Sequence, residues 1–277
     1  MARHTYRRLV LSSAIASILA CEPPDATPDA ASAPSAHDSG WTELFNGRDL
    51  TGWVPKIRGE PPGRDARGTF RVQDGLLTVS YDGYDAEAGF EDTFGHLFWA
   101  EPLEGYELRV EYRFVGRQFA GGPDWARSNS GVMFHAQAPG TMGLGQDFPV
   151  SLEAQFLGAS PGEVRPTANL CTPGTHVDVD GAQVTEHCIE AVAPTIPDGT
   201  WVTVVIVAAA DGSVRHVLDG DTVLAYERPV VGGGAVSGAT AEAPADGRPL
   251  RSGYIALQSE SHPIQFRRVA VRPLAGG

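Results

Sequence analysis

In the stretch SLEAQFLG, Glu153 and Gln155 stand two residues apart inside an otherwise apolar run. Residues i and i+2 of a strand share a face, so a carboxylate and an amide would project side by side. Such short hydrogen-bonding residues on one face could line a pocket. The spacing recurs twice. NSGVMFHAQ sets Asn129, Gly131, Met133 and His135 on one face, and IALQSESHP sets Gln258, Glu260 and His262 together.

Any one of these faces reads most simply as the wet side of an edge strand. Three of them, carrying short hydrogen-bonding residues and histidines with almost no lysine, point instead to a cleft. His96 in FGHLFW and His135 stay open between a structural and a functional role. Arg165 and Asn169 in RPTANLC either support a loop or reach a ligand, and His216 beside Arg215 reads as a surface residue.

Several other chemistries lack their motifs. There is no glycine-rich phosphate loop with lysine, no G-x-S-x-G elbow and no H-E-x-x-H pair. The E-x-D-x-x-E strand of many laminarinase-like sandwiches is missing too, because Ala154, Gln155 and Phe156 follow Glu153. A net charge of -13 argues against nucleic acid or an anionic membrane surface as a partner and leaves a neutral ligand open.

The elements that must position these residues are strands. YELRVEYRF alternates Tyr106, Leu108, Val110, Tyr112 and Phe114 with charged residues, the period of a strand with one buried face. Asp-Gly pairs at 74–75, 180–181, 211–212 and 219–220 separate similar runs and predict hairpins. IQFRRVAVRPL slips its alternation at Arg267-Arg268, as at a bulge. About a dozen short strands and no helical stretch predict a two-sheet sandwich, since each sheet must cover an apolar face. Two long irregular segments interrupt it, GRQFAGGPDWARSN and RPVVGGGAVSGATAEAPADGRPL. The first reads as a binding loop or a disordered insertion, the second as a mobile lid or slack.

The N-terminus reads as an export signal. Arg3, Arg7 and Arg8 precede an apolar run too short to span a bilayer, and Ile18-Leu19-Ala20-Cys21 resembles a lipobox. The expectation is a signal peptide over 1–20, a lipidated Cys21 opening a Pro/Ala/Ser/Asp-rich linker over 21–39, and a domain over 40–277. The protein would then be a membrane-anchored lipoprotein of the periplasm or cell surface, touching the membrane through that lipid alone; simple secretion is the alternative. With Cys21 acylated, Cys171 and Cys188 remain as a disulfide pair, or as metal ligands together with His176 and His187.

WTELFNGRDLTGW, FRVQDGLLTV, YELRVEYRF, NSGVMFHAQ, LEAQFLG, NLCTPGT and GYIALQSESHPIQFRRVAV, in this order from Trp41 to Leu274, resemble the 3-keto-disaccharide hydrolase domain family. The resemblance implies an all-β, concanavalin A-like jelly-roll and a substrate that is an oxidised glycoside with a ketone at C3. The implied chemistry is proton abstraction at C2, elimination of the C1 oxygen and hydration. Carried onto this chain, Glu153 is the base and His135 and His262 are candidate acids. Asn129, Gln155 and Arg165 bind substrate, Glu260 holds a histidine or a divalent metal ion, and Gln258 and His96 stand at the rim. RPTANLCTPGTHVDVDGAQVTEHC resembles a disulfide-bearing subgroup of that family.

Two other readings fit the same sequence. A tethered carbohydrate-binding module would use Trp99, Trp125 and Tyr254 as stacking platforms, and an ordinary glycosidase would cleave glycosides with an intact C3 hydroxyl. Oligomeric state is not encoded in any motif.

Overall fold

Hydrophobic alternation is realised as two antiparallel sheets in the computed structural model, which describes residues 1, 40–233 and 236–274. The expected signal, Cys21 and linker lie outside the described residues. Eighteen strands and two single-turn 3-10 helices make up the described secondary structure.

One sheet has ten strands, in the order Ala182–Val184, Thr175–Val179, Asp221–Val231, Val214–Leu218, Val202–Ala208, Tyr106–Phe114, Ile264–Pro273, Leu76–Val79 and Phe70–Gln73, with Thr42–Glu43 added on Ile264–Pro273. The other has eight, in the order Cys188–Ile189, Asn169–Cys171, Leu152–Leu157, Asn129–Ala136, Ser252–Ser259, Gly95–Trp99 and Trp53–Ile57, with Leu103–Glu104 against Ser252–Ser259. Stacked face to face they form the expected two-sheet jelly-roll sandwich of the concanavalin A-like type.

The core between the sheets is what the alternation predicts. Leu108, Val110, Tyr112 and Phe114 meet Val132, Leu152, Ala154, Phe156 and Leu257. Tyr112 stacks on Phe156 with ring centroids 4.1 Å apart, and its hydroxyl hydrogen bonds Thr167 Oγ1 at 2.7 Å, so its polar tip is satisfied inside an apolar layer.

Three of the four Asp-Gly turns place both residues at positive φ: Asp74 and Gly75, Asp180 and Gly181, Asp219 and Gly220. At 211–212 only Gly212 does so, since the connection from Ala208 to Val214 is longer than two residues. The expected bulge appears between Phe266 and Arg268.

Candidate active site

The apolar residues of Leu152–Leu157 that enter the core, Leu152, Ala154 and Phe156, send Glu153 and Gln155 to the opposite face of the eight-strand sheet. That face is covered. Part of it carries an apolar cluster of Phe98, Met133, Ala136, Met142 and Ala256, with Phe148 and Tyr254 packed on it. Glu153 is only 5% exposed.

Register lays the polar residues out in rows. Cys188, Cys171, Glu153 and Met133 are successive partners across four strands. In the next row Asn169 pairs with Gln155 and Gln155 with Gly131, while Gln258 pairs with His96 and His96 with Lys56. Leu257 faces Val132, so Gln258 follows beside Gly131 and the row is continuous. The Glu153 carboxyl folds over Gly131, where an added Cβ would stand 2.7 Å from Oε1 and 2.9 Å from Cγ. Only glycine leaves that space.

A cavity of about 450 Å³ opens over this face. It gathers five of the expected residues, Asn129, Glu153, Gln155, Arg165 and Glu260. Asn169 donates to Gln155 Oε1 at 3.1 Å and accepts from the Ala191 amide at 2.9 Å, fixing the amide beside Glu153. Arg165 donates through Nη1 to the carbonyls of Arg127 and Gly158, so it braces the loop as well as lining the cavity.

Burial pushes the Glu153 carboxyl up to about 8. It also holds Glu260 well above the usual carboxylate range, with the neighbouring Glu153 charge adding to the effect. Two carboxyls that share one enclosed space cannot both ionise readily, so this pair carries a proton at neutral pH. Asn129 Oδ1 and Glu260 Oε2 are buried without a partner.

The histidines are placed differently from the sequence expectation. The strand Asn129–Ala136 bulges against Ser252–Ser259 between the Met133 and Ala136 pairings, and His135 sits at φ 49 within it. The extra residue inverts the alternation, so Ala136 joins Met133 on the cavity face and His135 turns to Tyr106 of the other sheet, 6.0 Å between rings. His135 is therefore no candidate acid for Glu153's cavity. His262 is locked beside the cavity rather than in it: Nδ1 accepts the Ser128 amide at 3.0 Å and the ring stands edge-on to Phe114.

His96 and Gln258 are not rim residues, since each is wholly buried. His216 is not on the surface. Its nitrogens bond the Ala168 carbonyl and the Tyr226 hydroxyl at 2.8 and 2.9 Å, deep between the sheets.

Sequence reasoning missed other parts of the site. Phe148 and Asp147 line the cavity, and Asp147 Oδ1 accepts the Ser237 amide at 2.9 Å, so the long segment after Val231 is tied to the cavity wall. Trp125, which the sequence reading did name as a stacking platform, is 52% exposed, stands at the cavity and stacks on Phe94, positioned by the 3-10 turn Asp124–Ala126 of the first irregular segment. Trp99 packs edge-on against Trp53 and Tyr254 joins the apolar cluster, so neither is a free platform. Lys56, 1% exposed in a strand that reads as apolar, carried no signal in its spacing.

Cys171 and Cys188 form the expected disulfide, which lines the cavity next to Glu153. Among the described residues, the one convergent set of three His, Cys, Asp or Glu ligand atoms is Cys171, His187 and Cys188, and the disulfide consumes both thiols. His176 is not in that set. A larger depression of about 730 Å³ on the ten-strand sheet, bordered by Asp178, Asp211 and Glu227, contains none of the unpartnered buried polar atoms that mark the Glu153 face.

The chain matches the model of the 3-keto-alpha-glucoside-1,2-lyase-like domain over residues 40–272. Among proteins of curated function, none matched it by sequence. Similar solved structures include two provisionally assigned glycosyl hydrolases from Parabacteroides distasonis. One is 20% identical with a TM-score of 0.48, over 85% of this chain and 94% of that one. The other is 18% identical with a TM-score of 0.49, over 84% and 99%. A carbohydrate binding module, CBM66, from Bacillus subtilis is 11% identical with a TM-score of 0.40, over 84% and 95%.

Proposed function

This chain belongs to the 3-keto-alpha-glucoside-1,2-lyase-like domain family, and from that membership we propose that it cleaves 3-keto-glycosides by elimination followed by hydration. The observation that carries the proposal is the pair of buried carboxyls, Glu153 and Glu260, in one cavity with raised proton affinity. Elimination needs one group to take a proton and one to give it, both near neutrality.

In its ionised form Glu153 takes the C2 proton, made acidic by the C3 ketone, and the C2–H electron pair forms an enolate. Collapse of the enolate restores the ketone, forms the C1=C2 double bond and expels the C1 oxygen, to which Glu260 delivers its proton. Addition of water across C1 and C2 completes net hydrolysis. Glu260 takes the acid role because His135 faces the other sheet. Gln155 and Asn129 hold hydroxyls, and Trp125 offers a face to a sugar ring.

The cavity's own donors to a divalent ion would be Glu153 and Glu260, hard oxygen ligands suited to Mg²⁺, Ca²⁺ or Mn²⁺. The export reading and membrane anchor belong to the same proposal, since oxidised glycosides would then be met outside the cytoplasm.

The test incubates residues 40–277 with matched 3-keto and unoxidised glucosides, with and without chelator, and follows aglycone release. Release from the keto substrate alone, abolished in Glu153→Gln, is expected. Equal release from the unoxidised glucoside would identify an ordinary glycosidase, and glycan binding without release a carbohydrate-binding module.

A further inference from the structure

Beyond the open cavity, the polar row of the eight-strand sheet continues under cover. Gln258 and His96 are fully buried, and neither amide atom of Gln258 and neither ring nitrogen of His96 finds a hydrogen-bond partner in the protein. A buried polar group left unpaired costs about 1–3 kcal/mol, so a fold that leaves four such atoms side by side has a use for them. Gln258 sits next to Gly131, the residue over which the Glu153 carboxyl lies, and His96 is its neighbour on the far side.

Charge selects what would bind there. Lys56 is the next residue of the row, paired with His96, and its ammonium donates to the carbonyls of Ile57 and Leu144 at 3.0 and 3.2 Å. An ammonium has three donors, so one N–H remains beyond these two bonds. Burial, with the Lys56 charge adding to it, lowers His96 to about 3, which keeps the imidazole a neutral donor. A positive charge behind neutral donors suits an oxygen that acquires negative charge, and is hostile to a cation.

Phe148 stands between the open cavity and the covered row. It lines the open cavity, and its ring stands edge-on to His96 with centroids 5.7 Å apart. It is the wall between the carboxyl pair and the covered row.

We propose that His96 and Gln258, backed by Lys56, receive the C3 ketone oxygen of the reacting sugar and stabilise it as an enolate, with Phe148 as the side chain that yields on entry. The proposal rests on the 3-keto-glycoside reading. It also fits the connectivity of that reaction, because the proton leaves C2, the atom bonded to C3, so base and ketone receptor must be neighbours.

The test uses His96→Phe and Gln258→Met, near-isosteric changes that remove the unpaired polar atoms. The thermal midpoint should hold or rise, while kcat/KM on the 3-keto-glucoside falls about 100-fold, the loss typical of one enolate or oxyanion donor. Turnover within threefold of the unaltered protein in both variants overturns the inference and leaves the proposed reaction standing.

A second readout does not need turnover or the histidine variant. In Glu153→Gln, calorimetry compares binding of the keto sugar with its unoxidised counterpart, with and without Gln258→Met. A preference for the keto sugar of at least tenfold that Gln258→Met removes supports the assignment. No preference, or one that survives Gln258→Met, overturns it whether or not the chain proves to be an eliminating enzyme.

Discussion

A carboxyl surrounded by protein and lacking a compensating cation holds its proton, and this is the condition of Glu153 and Glu260. Burial is the cause at Glu153; at Glu260 burial leads and the neighbouring carboxylate follows. As the base, Glu153 works only when ionised, so kcat/KM should rise with pH through about 8. As the acid, Glu260 must keep its proton, so activity should fall again at higher pH, giving a bell whose limbs belong to the pair. Glu260→Gln should remove the alkaline limb and slow alkyl glycosides by about 100-fold, while glycosides with a good leaving group, which need no acid, lose much less. Equal losses on both classes of aglycone would take the acid role away from Glu260.

Strands set which of these residues meet, and the disulfide fastens the edge that carries them. Cys171 is the cross-strand neighbour of Glu153, and Asn169 of the same strand holds Gln155. The pair closes a loop with a sequence separation of 17, for which the chain-entropy model gives about 3 kcal/mol. Replacing both cysteines by alanine should lower unfolding stability by about that amount and reduce turnover several-fold as the edge frays. Denaturant melts and rates on one preparation check it; a stability loss with full activity would show that the edge strand does not position Glu153. Much of this element level was legible in the sequence, because alternation in YELRVEYRF and LEAQFL names the core face and, by difference, Glu153 and Gln155. What alternation cannot carry is a change of phase. A single extra residue near His135 inverts the faces beyond it, and NSGVMFHA contains no glycine or proline at that point to announce the bulge. Coverage was equally silent, because Phe148 and Asp147 arrive from a segment between strands, whose course depends on tertiary contacts rather than period.

At the scale of the molecule, the buried titratable groups pull stability in opposite directions with pH. His96, His135, His216 and His262 are lowered to between about 3 and about 4, chiefly by burial. Unfolding returns each to its ordinary value near 6.5, so below that pH the unfolded chain binds more protons and stability drains away as pH falls toward 4. One such residue is worth on the order of 3 kcal/mol, against the roughly 5–15 kcal/mol that holds a domain folded. Glu153 acts with the other sign: folded, it keeps a proton up to about 8 that the unfolded chain releases near 4.5, so stability falls as pH rises through that window. Glu260, held higher still, acts in the same sense as Glu153; between 4.5 and 6.5 the four histidines outweigh the two carboxyls, and above 6.5 the histidines no longer titrate in either state. The thermal midpoint should therefore peak near pH 6.5, drop steeply toward pH 4 and decline gently to pH 8. Glu153→Gln should make the alkaline decline shallower, leaving the part that Glu260 contributes, and leave the acid edge where it was; midpoints recorded from pH 4 to 9 for both proteins decide it, and an alkaline slope unchanged by the substitution would mean that Glu153 is ionised in the folded state at neutral pH. The same burial that makes the carboxyl a base near neutrality would then be absent, so this stability curve tests the proposed chemistry without any substrate.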